Sequence, residues 1–119
     1  MKRRKRKAAR PRRKARAKAG RLPKSAVTLA VILRAKEAQE TLLEAELRAL
    51  VGPSRREEGC LQYDLHRSAD PPTAFLLHEV WARREDHTAH TKSPHFTRWN
   101  ARKDALLASR DAAFWKQLL

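Results

Sequence analysis

Residues 60 to 82 restrict the possible folds more than any other part of the chain. Cys60 to Ser68 (CLQYDLHRS) alternates, with Leu61, Tyr63 and Leu65 at one parity and Gln62, Asp64 and His66 at the other. Ala69-Asp70-Pro71-Pro72 interrupts the pattern, and Thr73 to Ala82 takes it up again. Period-two runs joined by turn-forming residues specify two strands and a tight connection. On the second strand Phe75, Leu77, Glu79 and Trp81 share a face, so a carboxylate and an indole stand side by side on an otherwise oily surface.

The flanking segments complete an alternating order of strands and helices. Ala26 to Arg34 (AVTLAVILR) predicts a first strand with Val27, Leu29, Val31 and Leu33 on one face and Ala30 and Ile32 on the other. A strand apolar on both faces is one covered on both sides. From Lys36 the period becomes helical, with Leu43, Leu47, Leu50 and Val51 on one stripe and Glu44 placed to pair with Arg48. This helix is expected to end near Glu58, kinked or divided at Gly52-Pro53, with Gly59 as its left-handed cap. Glu85 and Asp86 suit the first turn of a following helix, and Ser93-Pro94 restarts it as N-cap and first helical residue. That helix runs to about Leu107, and Ala112 to Leu119 (AAFWKQLL) reads as a closing strand. The resulting β-α-β-β-α-β order is the α+β, ferredoxin-like arrangement.

Charge divides the chain in two. The formal net charge is +15, yet residues 1 to 24 hold 14 of the 28 Lys and Arg and no acid, leaving 14 basic against 13 acidic residues in the remainder, a balance of +1. Residues 1 to 24 therefore read as a disordered basic tail, too poor in apolar side chains to order itself, and residues 25 to 119 as the folded domain. Such a tail suits non-specific contact with nucleic acid, a targeting role, or none. No apolar run resembles a secretory signal or a membrane span, so the expectation is a soluble, cytoplasmic protein without membrane contact. The single cysteine, Cys60, excludes an intrachain disulfide and reads as a small core residue. With three glycines in the chain, no Gly-rich loop exists to cradle a nucleotide phosphate.

The segments Gly59-Cys-Leu-Gln-Tyr-Asp-Leu and Phe75-Leu-Leu-His-Glu-Val-Trp, followed by His90 and Ser93-Pro94-His95-Phe96, resemble the antibiotic-biosynthesis monooxygenase domain, including its quinol monooxygenase branch. The likeness extends over residues 26 to 119. It implies ferredoxin-like protomers that pair sheet to sheet as a homodimer, forming a dimeric α+β barrel with a pocket between sheet and helices. It also gives Phe114 and Trp115, on opposite faces of the last strand, a role at the dimer seam on one side and at the pocket or core on the other.

The chemistry implied by the resemblance is oxygenation of a quinol, phenol or polycyclic aromatic by molecular oxygen without a cofactor. Triplet dioxygen reacts slowly with closed-shell molecules, and deprotonating the substrate yields an anion able to surrender one electron. A protein then supplies a base, a dry pocket and orientation. Imidazole suits a base working near neutrality, so the resemblance points to His90 as base, His95 as second choice and Glu79 as the assisting carboxylate. Trp81, Tyr63 and Phe75 become the substrate-binding wall.

Structural readings of the same residues stand beside these. His95, at the start of a helix, can serve its N-terminus, and Glu79 can accept hydrogen bonds from a helix end or an arginine. Trp81 can be packing, while His66 and His78 belong by parity to the opposite face. The histidines show no recognisable ligand spacing, and no metal is expected. Haem-degrading relatives imply an asparagine in the first strand, whereas the only asparagine is Asn100. A non-oxidative isomerase on the same fold, and a catalytically silent dimer whose tail binds nucleic acid, are the alternative functions.

Overall fold

The first strand, β1 (Val27–Ala35), buries Leu29, Val31 and Leu33 on one face. A computed structural model describes residues 22–119, and most of the basic tail lies outside the described residues. Helix α1 (Glu40–Arg55) lays Leu43, Leu47 and Leu50 onto that sheet face, all three buried. Each leucine so buried contributes roughly 1.5–3 kcal/mol of transfer free energy. The helix starts at Glu40 rather than Lys36 because Ala38 takes a positive φ of 67° in the turn preceding it. It continues through Gly52-Pro53 and stops at Arg55, short of the predicted Glu58.

Gly59 does adopt the left-handed region, with φ of 89°, but as the hinge into β2 (Cys60–Arg67) rather than as a residue adjoining the helix. A Cβ there would lie 2.3 Å from Cγ of Asp86, so both backbone and space demand glycine. The turn at residues 68–73 leads into β3 (Ala74–Trp81), and the two strands pair antiparallel with Tyr63 opposite Glu79 and Arg67 opposite Phe75. Two helices follow, α2 (Arg84–His90) and α3 (Pro94–Leu106), divided at the Ser93-Pro94 restart.

The closing strand differs from the sequence expectation. It is β4 (Leu107–Trp115), entered directly from α3, and not residues 112–119. Its pairing with β1 begins at Leu107 opposite Ala35 and reaches Trp115 opposite Thr28. Ser109, Arg110 and Asp111 lack an apolar alternation because no helix covers this edge, and almost the whole strand is exposed. The sheet order is β2-β3-β1-β4, antiparallel throughout, in the ferredoxin-like arrangement with helices on one side.

The other side of the sheet is open. Ile32 is 38% exposed and Trp115 62% exposed there, while Phe114 turns toward the helices and meets His87 at 5.2 Å between ring centres. Among the described residues no helix is long and apolar enough to cross a membrane.

Candidate functional site

The α2–α3 corner fixes two histidines. Ser93 caps α3, its Oγ accepting from the Phe96 N–H at 3.2 Å, and Pro94 fills the first helical position. His95 is thereby set one residue into α3, and His90, the last residue of α2, points inward and is 1% exposed. Both reach one atom of Glu57, which lies just past the end of α1. Oε2 of Glu57 is 2.5 Å from Nδ1 of His90 and 2.7 Å from Nε2 of His95.

Burial would push the Glu57 carboxyl up, but the hydrogen bonds from His90 and His95 outweigh it and hold the group below its usual range. Glu57 is therefore a carboxylate, which can only accept. It follows that Nδ1 of His90 carries a proton toward Glu57. The ring's Nε2 is buried and has no hydrogen-bond partner among the described residues.

A second carboxyl stands across the sheet face. Glu79, 3% exposed, accepts from the indole Nε1–H of Trp81 at 2.9 Å. Burial raises its pKa, and the Trp81 N–H and the nearby His90 and Arg110 offset this only in part. Tyr63, opposite Glu79 in the pairing, has its phenol pushed far up by burial and by Glu79, and stays a neutral hydroxyl. The rings form a single packed group: Trp81 and His90 lie 4.8 Å apart, Tyr63 and His90 5.5 Å, and Tyr63 and Trp81 6.3 Å. His87, beside them, is pushed down to about 4, first by burial and then by the neighbouring His90, Arg84 and Arg110.

A cavity of about 50 Å³ sits at this convergence, with Leu29, Leu33, Tyr63, Glu79, His87, His90 and Arg110 among its walls. Ligand pockets typically hold roughly 300–1,000 Å³, so the space suits water or dioxygen and not an aromatic ring. The predicted residues Glu79, His90 and Tyr63 line it, and Trp81 adjoins it through its ring contacts. His95 joins through Glu57. Phe75 does not: it lines a separate groove of about 470 Å³ with Glu44, Arg48, Gly52, Arg55, Leu65 and Arg67. Strand parity gave its face correctly but not its position along the strand. Glu57 was missed altogether, because nothing within its own segment marks a glutamate at a helix end as the partner of residues 33 and 38 positions later.

Glu57, His90 and His95 also form the one group among the described residues that could hold a metal ion, their donor atoms lying within 4.8 Å of one another. The observed 2.5 and 2.7 Å spacings are those of hydrogen bonds. Tetrahedral ligands about zinc would stand roughly 3.4 Å apart, so a metal would require this corner to open.

The antibiotic biosynthesis monooxygenase family model matches residues 26–102. The crystal structure of PA3566 from Pseudomonas aeruginosa superimposes with a TM-score of 0.77 at 36% identity, covering 80% of this chain and 96% of that one. Rv0793 from Mycobacterium tuberculosis gives a TM-score of 0.75 at 29% identity, over 79% of this chain and 96% of that chain. In direct sequence comparison Rv0793 is 38% identical over 65 residues, 55% of this chain and 63% of the relative, and a Synechocystis protein, sll1783, is 31% identical over 61 residues, 51% of this chain and 42% of the relative. The chain thus spans less than two thirds of these curated relatives. Fold, strand order and sequence agree, and the chain belongs to the antibiotic biosynthesis monooxygenase family.

Proposed function

We propose that this chain is a cofactor-independent monooxygenase that oxidises a quinol, phenol or polycyclic aromatic with molecular oxygen, using His90 as base. One observation carries the reading: Nε2 of His90 is buried, unpartnered and at a cavity wall, while Glu57 holds the proton of the same ring on Nδ1. This is the tautomer a general base needs, and the carboxylate also stabilises the imidazolium that forms.

In the proposed reaction His90 Nε2 takes a proton from the substrate, and the anion passes one electron to dioxygen. The radical pair joins carbon to oxygen as a peroxide. Loss of water, with the proton returned by His90, leaves a carbonyl. One oxygen atom stays on carbon, the other leaves as water, and the substrate supplies all four electrons. In this reading Tyr63, a neutral hydroxyl of a cavity-wall residue, gives a hydrogen bond to an oxygen of the substrate, and Glu79, whose pKa is raised by burial, is the assisting acid. The small cavity is read as the place where oxygen meets the reacting edge, with the ring entering from the uncovered β4 side. His95 positions Glu57 rather than touching substrate.

A homodimer is part of the proposal, because Ile32 and Trp115 stand exposed on the uncovered sheet face. Sedimentation of the purified chain would show twice the protomer mass.

Oxygen uptake across a panel of quinols, phenols and anthrones tests the function, with His90→Gln as the paired variant. Uptake that falls by about 10²–10⁴ in the variant is the expected result. Absence of uptake with every compound, or product formed equally under argon, overturns the oxygenase reading; the second outcome would indicate proton-transfer chemistry instead.

A further inference from the structure

Of the arginines that form no ion pair with a described carboxylate, Arg56, Arg84, Arg98 and Arg110, it is Arg110 that lines the cavity holding Glu79 and His90. Arg34, Arg48, Arg55, Arg67, Arg83 and Arg102 each pair with a carboxylate, and Arg84 stacks over Phe114 at 3.6 Å. None of the described carboxylates forms an ion pair with Arg110. It stands on the helix-facing side of β4, opposite Leu33, and is exposed, yet it also lines the cavity that holds Glu79 and His90. Solvent satisfies its exposed donors in the free protein, which leaves the guanidinium available to an anion at the site it borders.

The walls set limits on what approaches it. The cavity admits an oxygen and not a ring, so a substrate ring whose hydroxyl reaches His90 must lie outside, against His87, Phe114 and the β4 surface. Arg110 borders that approach. A planar fork of N–H donors matches a carboxylate in two parallel hydrogen bonds, a match that neither a hydroxyl nor a methyl substituent offers.

We propose that Arg110 is a specificity-determining residue that selects aromatic substrates carrying a carboxylate beside the phenolic hydroxyl. The inference rests on the oxygenase reading for the hydroxyl's place at His90, and adds the substrate class. The carboxylate binds at the open rim on Arg110 while the hydroxyl enters the cavity, so one cation both recognises the ligand and fixes which end goes in.

The test uses the full chain under argon, with 2,5-dihydroxybenzoate and hydroquinone as paired probes in titration calorimetry at low salt. The acid is expected to bind about tenfold tighter or better, the usual size of a charge-assisted hydrogen bond. Arg110→Gln removes that preference, Arg110→Lys keeps part of it because an ammonium is a point charge, and Arg34→Gln, the same charge lost from the other face, leaves it intact. Equal affinity for the two probes, binding of neither, a preference that survives in Arg110→Gln, or an equal loss in Arg34→Gln each overturns the proposal. Oxygen uptake with hydroquinone by the unaltered chain in air, together with equal affinity for the two probes, would overturn the Arg110 assignment and leave the oxygenase reading standing, whereas no uptake with either probe would overturn that reading.

Discussion

The indole N–H of Trp81 donates to the carboxyl of Glu79 at 2.9 Å, between two residues that share one face of β3 and are both buried. Trp81→Phe removes that donor and leaves a void beside His90. A destabilisation of about 2–3 kcal/mol is expected from the lost packing and the unsatisfied acceptor. Urea unfolding of the single variant and of Trp81→Phe with Glu79→Gln checks it, the second change recovering part of the loss.

Glu79 itself gives a signed pH effect. Its pKa is raised in the fold by burial, so its contribution to stability is complete below the unfolded value of about 4.5 and is lost as pH climbs through the higher folded one. Glu79→Gln cannot ionise. Its thermal midpoint relative to the parent is expected to rise between pH 4 and pH 8, and a flat difference would show that Glu79 is not desolvated.

His87 works in the opposite direction. Held at about 4 in the fold against 6.5 ordinarily, it is protonated more readily in the unfolded chain, so stability falls as pH drops from about 6.5 to about 4. His87→Leu is expected to flatten this part of the stability–pH curve, with the carboxylates still causing acid unfolding lower down.

In the proposed reaction Glu57 bears on both stability and turnover. Its lowered pKa means a contribution present above the unfolded value and lost as pH falls through the folded one. Glu57→Gln keeps an acceptor but not the charge, and a drop in kcat of about 10²-fold with little change in KM is expected from loss of the stabilised imidazolium. His95→Gln, which leaves the His90 contact in place, is expected to reduce kcat far less.

Gly59→Ala places a Cβ where φ is 89° and Asp86 is 2.3 Å away. A loss of roughly 2 kcal/mol or more is expected, since the left-handed backbone alone costs about 1–2 kcal/mol for an L residue. Adding Asp86→Ala removes the Cγ and Oδ2 contacts but leaves its Cβ at 2.7 Å and the backbone strain in place, so chemical denaturation of the double variant is expected to show partial recovery only.

Features settled within a few residues were legible in the sequence. Ser93-Pro94 announces a cap, and the alternation in β1 and β3 places Leu33 and Glu79 on the covered face, because both signals depend on near neighbours. The last strand was misplaced for the complementary reason. An edge strand that nothing covers has no need of an apolar alternation, so Ser109-Arg110-Asp111 looks like a loop while Phe114 to Leu119 draws the eye. Phe75 went to the wrong hollow because six residues of extended chain put it about 20 Å from Trp81 on the same face. Glu57 could not be read at all, since its meaning comes from helices folded onto it from farther down the chain.

A single oxygen atom of Glu57 ties the end of α1 to both sides of the α2–α3 corner. That joint works like a shared pin. Loosening either segment frees the His90 ring to turn, so in the proposed reaction the base depends on three parts of the chain meeting at one atom.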